Sequence, residues 1–370
     1  MTDATANQAA LNNGSAGSAT RAPSLWRYFR RSRLGMAGLA LAGLLYLSAF
    51  GADFLAPYSV DHQFIRAVHA PPQLPSIRDA DGFRWPFVHP LVLTMSPDGL
   101  ERRYTLDTSR RLPLRIFVRG GEYSLFGLGR ARLRLFGVEN GEWFPLGTDG
   151  MGRDLLSRLL QGGRVSLTVG LFGVLLGMVL GTFVGTVSGF YGGWADGLIQ
   201  RFVELLMVFP AIPLWMALAA ALPPWWGQVE VYCAIVTILS LVGWGGLARQ
   251  VRGLVLSLRE LEYVRAARAF GASDFYIIRK LLIPGCYHHL VVIAALSVPG
   301  MILGETALSF LGLGIRPPMT SWGVLLEEAQ HVRVLLEYPW LLFPAIPVLL
   351  AVVAFNCIGD GMRDALDMKD

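Results

Sequence analysis

Long apolar runs alternate with short polar segments along most of this chain. The runs fall at about 34–56, 166–189, 198–222, 231–248, 287–311 and 340–358. Each holds roughly 18–25 residues, enough to cross ~30 Å of hydrocarbon as a helix. The pattern predicts an all-α membrane protein with six transmembrane helices: a first span at 34–56, and a core over 166–358 that holds the other five. Between them, the loop over 57–165 reads differently. Short alternating runs such as "FVHPLVLTM", "LRIFVRG" and "RLRLFGV" are separated by Gly, Pro and Asp. That spacing predicts a small β-rich insertion over about 61–145. A stabilising decoration and a docking surface both fit it.

The bases orient the spans. With the N-terminus in the cytoplasm, the short cytoplasmic segments carry Arg21, Arg27, Arg30, Arg31, Arg33, Arg201, Arg249, Arg252, Arg259, Arg265, Arg268, Arg279, Lys280, Arg363 and Lys369, against only Arg316 and Arg333 in the two short external loops. The positive-inside bias therefore places both termini, the segment 249–285 and the tail 359–370 in the cytoplasm. The loop that bears the insertion is then external, and loops that long translocate largely regardless of their charge. Residues 1–33 read as a disordered tail rich in Ala, Asn, Gly, Ser and Thr, followed by a basic flank. The first apolar run is longer than a signal-peptide core, so it reads as an uncleaved span.

Composition agrees with the pattern: 53% of the 370 residues are hydrophobic and 16% charged, below the quarter usual for soluble chains. The net charge of +5 needs no nucleic acid to explain it. Cys233, Cys286 and Cys357 have neither metal nor redox spacing. The histidines (His62, His69, His89, His288, His289 and His331) form no HExxH or related cluster, so no metal site is expected. Lys280 and Lys369 are the only lysines, and neither stands in a Gly-Lys-Ser/Thr loop; a Walker A nucleotide site is excluded. No GxSxG elbow is present, and no catalytic residue is expected.

Two features of the spans stand out. Gly173, Gly177, Gly181, Gly185 and Gly189 recur every four residues, near one face of a helix, where they allow close approach of another helix, in this chain or in a partner. Glu204 and Glu305 are acids in or near spans. Both fit pairing at a helix contact, and both are also candidates for ion or proton coupling.

The segment "EYVRAARAFGASDFYIIRKLLIPG" (262–285) is charged, rich in helix formers and set between two spans. A helix through its first half would stop at Gly271. Ser273 can cap a second helix, with Asp274 in its first turn, that stops at Pro284. Ala266 and Ala267 give the first helix a small, smooth side. A helix slotting into a protein groove and an amphipathic helix lying on lipid headgroups both fit.

The spacing of Ala266, Ala267, Gly271 and "LLIP" ending at Pro284 resembles the EAA loop of ABC importer permeases. "GTDGMGRDLLSRLLQGGRVSLTVG", "GFYGGWADGLIQRFVELLMVFP", "GETALSFLGLGIRPPMTSWGVLL" and "AFNCIGDGMRDALDMKD" resemble the C-type subunit of the dipeptide/oligopeptide (and nickel) permease family, as does "RRSRLGMAGLALAGLLYLSAFGADFLAPY" near the N-terminus. The resemblance covers about 24–60 and 146–370. It implies a type I ABC importer permease of the bacterial inner membrane that imports peptides. It implies a coupling surface for the ATPase at Arg265, Ala266, Ala267, Phe270, Gly271 and Pro284, with Arg265 standing where the motif has Glu. The implied partners are a homologous permease forming a heterodimer, two ATPase subunits and a periplasmic substrate-binding protein. ATP and Mg would be held by the ATPases, with no cofactor on this chain. The sequence departs from ordinary members in its long 61–145 insertion; microcin C-type peptide permeases also carry an enlarged loop there. A rival class, the self-sufficient ion-coupled transporter or channel, would show internal repeats and mid-membrane charges, of which this sequence has no clear repeat and few such charges.

Overall fold

The computed structural model describes residues 25–79, 82–95, 102–124 and 130–367. The expected disordered tail, residues 1–24, lies outside them, as do 368–370. A short helix α1 (Leu25–Phe29) precedes the first span, α2 (Arg33–Phe50), which Ser32 caps by accepting from the Gly35 amide. A turn of helix α3 (Ala52–Leu55) follows. Among its described residues the insertion then forms seven strands: β1 (Ser76–Asp79), β2 (Gly82–Val88), β3 (Leu91–Met95), β4 (Arg102–Leu106), β5 (Leu112–Pro113), β6 (Arg115–Ser124) and β7 (Arg130–Gly137). They pair antiparallel as β1-β2-β5 and as the hairpins β3-β4 and β6-β7. The small β-rich insertion is present.

The remaining helices are α4 (Leu155–Tyr191), α5 (Gly193–Val208), α6 (Ala211–Ala220), α7 (Gln228–Leu258), α8 (Glu262–Ala269), α9 (Asp274–Phe310), α10 (Trp322–Glu327), α11 (Val332–Glu337) and α12 (Ala345–Asp367). Among the described residues, five helices are long and apolar enough to cross a membrane, and the pair α5 and α6 makes a sixth if it counts as one span. Several buried clusters hold the bundle, and the two largest tie most of the spans together. One joins Leu45, Leu167, Val298, Ile302, Trp322 and Val348 across α2, α4, α9, α10 and α12. The other joins Phe190, Val251, Val264, Ile277, Leu282 and Leu290 across α4, α7, α8 and α9.

Two sequence expectations are corrected, and several helices run on past their apolar stretches. The span at 198–222 is not one straight helix: α5 and α6 meet at 85°. Pro210 breaks it, because the residue before a proline is pushed out of the α region, and Phe209 is extended at ψ 132°. The helix that holds the second span, expected at about 166–189, starts earlier, at Leu155, where Asp154 caps it by accepting from the Ser157 amide at 2.8 Å. Pro284 stops no helix. A π-turn at Ile278–Leu282 precedes it, and the α-helical course resumes at Ile283 and runs through to Phe310. Pro284 therefore sits in the first turn after the π-turn, where a missing N–H costs little. Helices also run into the segments expected at the cytoplasmic face: residues 249–258 continue α7, 274–285 lie in α9 and 359–367 in α12, which leaves 259–273 between α7 and α9.

The glycine stripe packs within the chain. A Cβ on Gly181 would meet Leu247 at 2.7 Å, one on Gly185 would strike the Ala248 carbonyl and Val251, and one on Gly189 would lie 2.9 Å from the Arg252 carbonyl. Those contacts bring the backbones of α4 and α7 together. Gly173 and Gly177 face Met301 of α9 instead, at 3.2 and 3.9 Å.

Candidate functional site

At the end of the bundle away from the insertion, α8 lies across the tips of α4, α7 and α9. Its sequence is strongly amphipathic, and Val264 is the only one of its side chains that is buried. Val264 joins Phe190, Val255, Ile277 and Leu282 in the second core. The helix closes with a Schellman motif: the Gly271 amide donates to the Arg268 carbonyl and the Ala272 amide to the Ala267 carbonyl, both at 3.0 Å. That motif needs a left-handed residue, and Gly271 takes it at φ 79°. Ser273 then starts α9, accepting from the Tyr276 amide at 3.3 Å. The Gly271 stop and the Ser273 cap were legible in the sequence.

Outward from this anchor, Arg265, Ala266, Phe270 and Gly271 are exposed and Ala267 is half-buried. Phe270 is 90% exposed, and Phe275 and Tyr276 extend the aromatic surface. Arg268 stands 5.1 Å over the Phe190 ring, tying the helix to α4. Pro284 is exposed but lies in α9, separate from the α8 group.

Beneath α8 is a polar clamp that the sequence reading did not find. Arg252 of α7 donates twice to Asp196 of α5, both at 2.6 Å. Asp196 also accepts from Ser188, which in turn accepts from Gln200 at 2.9 Å. Arg259, in the turn before α8, donates to the Gly189 carbonyl at 2.9 Å. The same bases had been counted only for topology. An acid and a base 56 residues apart give no local signal of pairing.

The two acids singled out in the sequence lie apart. Glu204 is exposed and pairs with Arg201 at 3.1 Å, one helical turn away. Glu305 is fully buried. It accepts from Ser166 at 2.9 Å and Ser309 at 2.7 Å, and Ser166 also receives the Trp322 amide at 3.1 Å. This node joins α4 to α9 and to the start of α10, near the insertion-bearing end. Among the described residues, no group of three or more His, Cys, Asp or Glu could hold a metal.

That end has a second polar joint. Asp149 accepts from the Met151 and Arg153 amides at 2.8 and 2.9 Å and from the guanidinium groups of Arg153 and Arg158. Arg158 reaches on to Thr320 at 3.1 Å, and Glu328 accepts from the Gly150 amide at 2.8 Å. Burial pushes the Glu328 carboxyl above its ordinary pKa. Asp154 is buried as well, and its carboxyl is pushed up to about 7 by loss of solvent.

A polytopic helical bundle that carries one anchored and otherwise bare helix between two spans has the architecture expected of a transport permease. The comparisons make the class specific. Residues 174–369 match the family of the binding-protein-dependent transport system inner membrane component, and residues 24–72 match the N-terminal TM domain of oligopeptide transport permease C. The chain belongs to this family of ABC transporter permeases. It is 33% identical to the dipeptide transport system permease protein DppC of Bacillus subtilis over 345 residues, covering 93% of this chain and 84% of that protein. It is 41% identical to the glutathione transport system permease protein GsiD of Pectobacterium atrosepticum over 233 residues, 63% of this chain and 74% of that protein. It is 43% identical to the GsiD protein of Shigella flexneri over 227 residues, 61% and 72% of the two chains.

Proposed function

We propose that this permease imports peptides in a complex with a homologous permease, two ATPase subunits and a substrate-binding protein, and that α8 is its ATPase-coupling element. The observation that carries the coupling role is the construction of α8. One buried side chain and a Schellman cap fix its position, while Ala266, Phe270 and Gly271 present a bare surface of small and aromatic groups. Exposed aromatics at the centre of such a surface are the residue type that anchors protein interfaces. ATP and Mg act on the ATPases, and closure of those subunits moves α8. Arg259, Arg252 and Asp196 pass the displacement to α4, α7 and α5, turning the pathway from outward to inward access. Peptide is the substrate class because the named relatives include dipeptide and glutathione permeases.

In this reading the α8 end and both termini are cytoplasmic, following the distribution of Arg and Lys. The insertion then faces the binding protein. The test of the docking surface is cross-linking. A single cysteine placed by Phe270→Cys, with Cys233, Cys286 and Cys357 replaced by Ser, is expected to cross-link to the ATPase subunit in the assembled complex and to respond to ATP. Reaction of that cysteine with lipid-borne reagents alone would return α8 to the rival reading, a helix resting on headgroups.

A further inference from the structure

A cavity of about 350 Å³ lies where the insertion meets the end of the first span. Its walls include Asp53 and Ala56 beyond α2, Tyr123 and Arg134 of the β6-β7 hairpin, Arg164 of α4, and Thr320. Arg134 is the unusual member. It is 97% removed from solvent, yet among the described residues no carboxylate lies within ion-pair distance of it. Its Nη1 donates to the Ala56 carbonyl at 2.6 Å, and its Nε has no hydrogen-bond partner among the described residues. A guanidinium has five donors in a planar fork, and here one is engaged. A buried charge left short of partners is costly, so such a group persists where a counter-charge completes it.

The other charges of the cavity do not complete it. Arg164 and Gln161 both donate to Asp53, so that carboxylate is already engaged. Asp61 lies at the exposed rim. Asp53 and Asp154 act on Arg134 only through space. Tyr123 offers its ring face at 5.4 Å.

The surroundings give the cavity a depth. α2 rises about 27 Å from Arg33 to Phe50, close to the thickness of the hydrocarbon core, so Asp53 and Ala56 stand at the headgroup level. Beside them the hairpin exposes Ile116 and Phe117, with Phe117 packed 6.4 Å from Phe54. Apolar side chains at that level, flanked by Arg115 and Arg119, suit a membrane interface.

We propose that the Arg134 cavity is a binding site for an oxyanion, the phosphate of a phospholipid headgroup or the carboxylate or phosphate of a small solute. A bound oxyanion takes the open donors of Arg134 and locks the hairpin to the first span. The experiment is a thermal-unfolding titration of the purified complex with three probes: dihexanoyl-phosphatidylglycerol, inorganic phosphate and succinate. The expected result is a saturable rise in Tm with at least one probe. Its apparent Kd weakens by about tenfold or more in Arg134→Gln, the loss expected for a charged hydrogen bond. It is unchanged in Arg132→Gln, which alters an exposed base of the same hairpin. Saturation by the lipid alone assigns the headgroup as the source; saturation by phosphate or succinate as well assigns a soluble anion. No saturable rise with any probe, or the same Kd in Arg134→Gln, overturns the proposal. The wild-type titration needs no variant. If Arg134→Gln does not assemble, Arg134→Lys keeps the charge without the fork, and an unchanged Kd there overturns the role of the guanidinium.

Discussion

Asp154 shows how much one side chain carries at the joint between insertion and bundle. It caps α4 through the Ser157 amide and hydroxyl while fully buried. Its carboxyl is pushed up to about 7, against an ordinary value near 3.8, with burial the largest cause. Between those two values the native state keeps a proton that the unfolded chain releases. Native stability therefore falls as pH rises from about 4 to about 7, and the loss is complete above the folded value. Asp154→Asn keeps the cap acceptor and removes the titration. Unfolding followed by denaturant across pH 4–8 is expected to show a steeper fall for the wild type than for the variant. Parallel curves would mean that Asp154 stays ionised in the native protein. The sequence marked the start of this helix only loosely, because the apolar run begins about ten residues after the cap.

Among the elements, α4 and α7 pack backbone to backbone, and the glycine stripe is the reason. A methyl on Gly185 has nowhere to go: it meets the Ala248 carbonyl and the Val251 Cβ, both parts of a rigid helix. Gly185→Ala is expected to destabilise the permease by roughly 1–3 kcal/mol, the usual cost of overpacking. Gly197→Ala, where a Cβ meets nothing within 4 Å, serves as the control. The measurement is the midpoint of thermal unfolding in detergent. The four-residue period was plain in the sequence, but its partner was not. Close approach is encoded by what the glycines lack, and that says nothing about which helix arrives. The broken span and the π-turn were hidden for a different reason. Apolar composition runs unchanged through Phe209, and the charged π-turn Ile278–Leu282 contains no Gly or Pro to mark it.

At the scale of the whole molecule, two ends are joined by spans that contact each other tightly. One end carries the β-rich insertion, the Asp149 joint and the Glu305 node; the other carries α8 over the Asp196–Arg252 clamp. The apolar helices, the insertion and the exposed helix were legible from hydrophobic period and turn residues. The polar joints were not, because each pairs side chains from elements far apart in sequence. If the insertion meets the binding protein, removing residues 76–137 should weaken binding-protein affinity in the reconstituted complex, read by surface binding to nanodiscs. Unchanged affinity would leave the insertion as a stabilising cover.

The central claim is that ATP hydrolysed on partner subunits drives transport through contacts at α8. Peptide uptake into proteoliposomes holding the full complex, compared for wild type, Gly271→Asn and Gly271→Asp, tests it most directly. A Cβ at Gly271 meets nothing in this chain, and Asn and Asp both tolerate the left-handed backbone there. The two variants therefore differ mainly in charge on the docking surface. The account predicts ATP-dependent uptake by the wild type, near-normal uptake with Gly271→Asn, and loss of uptake with Gly271→Asp while the protein still inserts in the membrane. Normal uptake with Gly271→Asp, or uptake by this chain alone driven by an ion gradient without ATP, would contradict it.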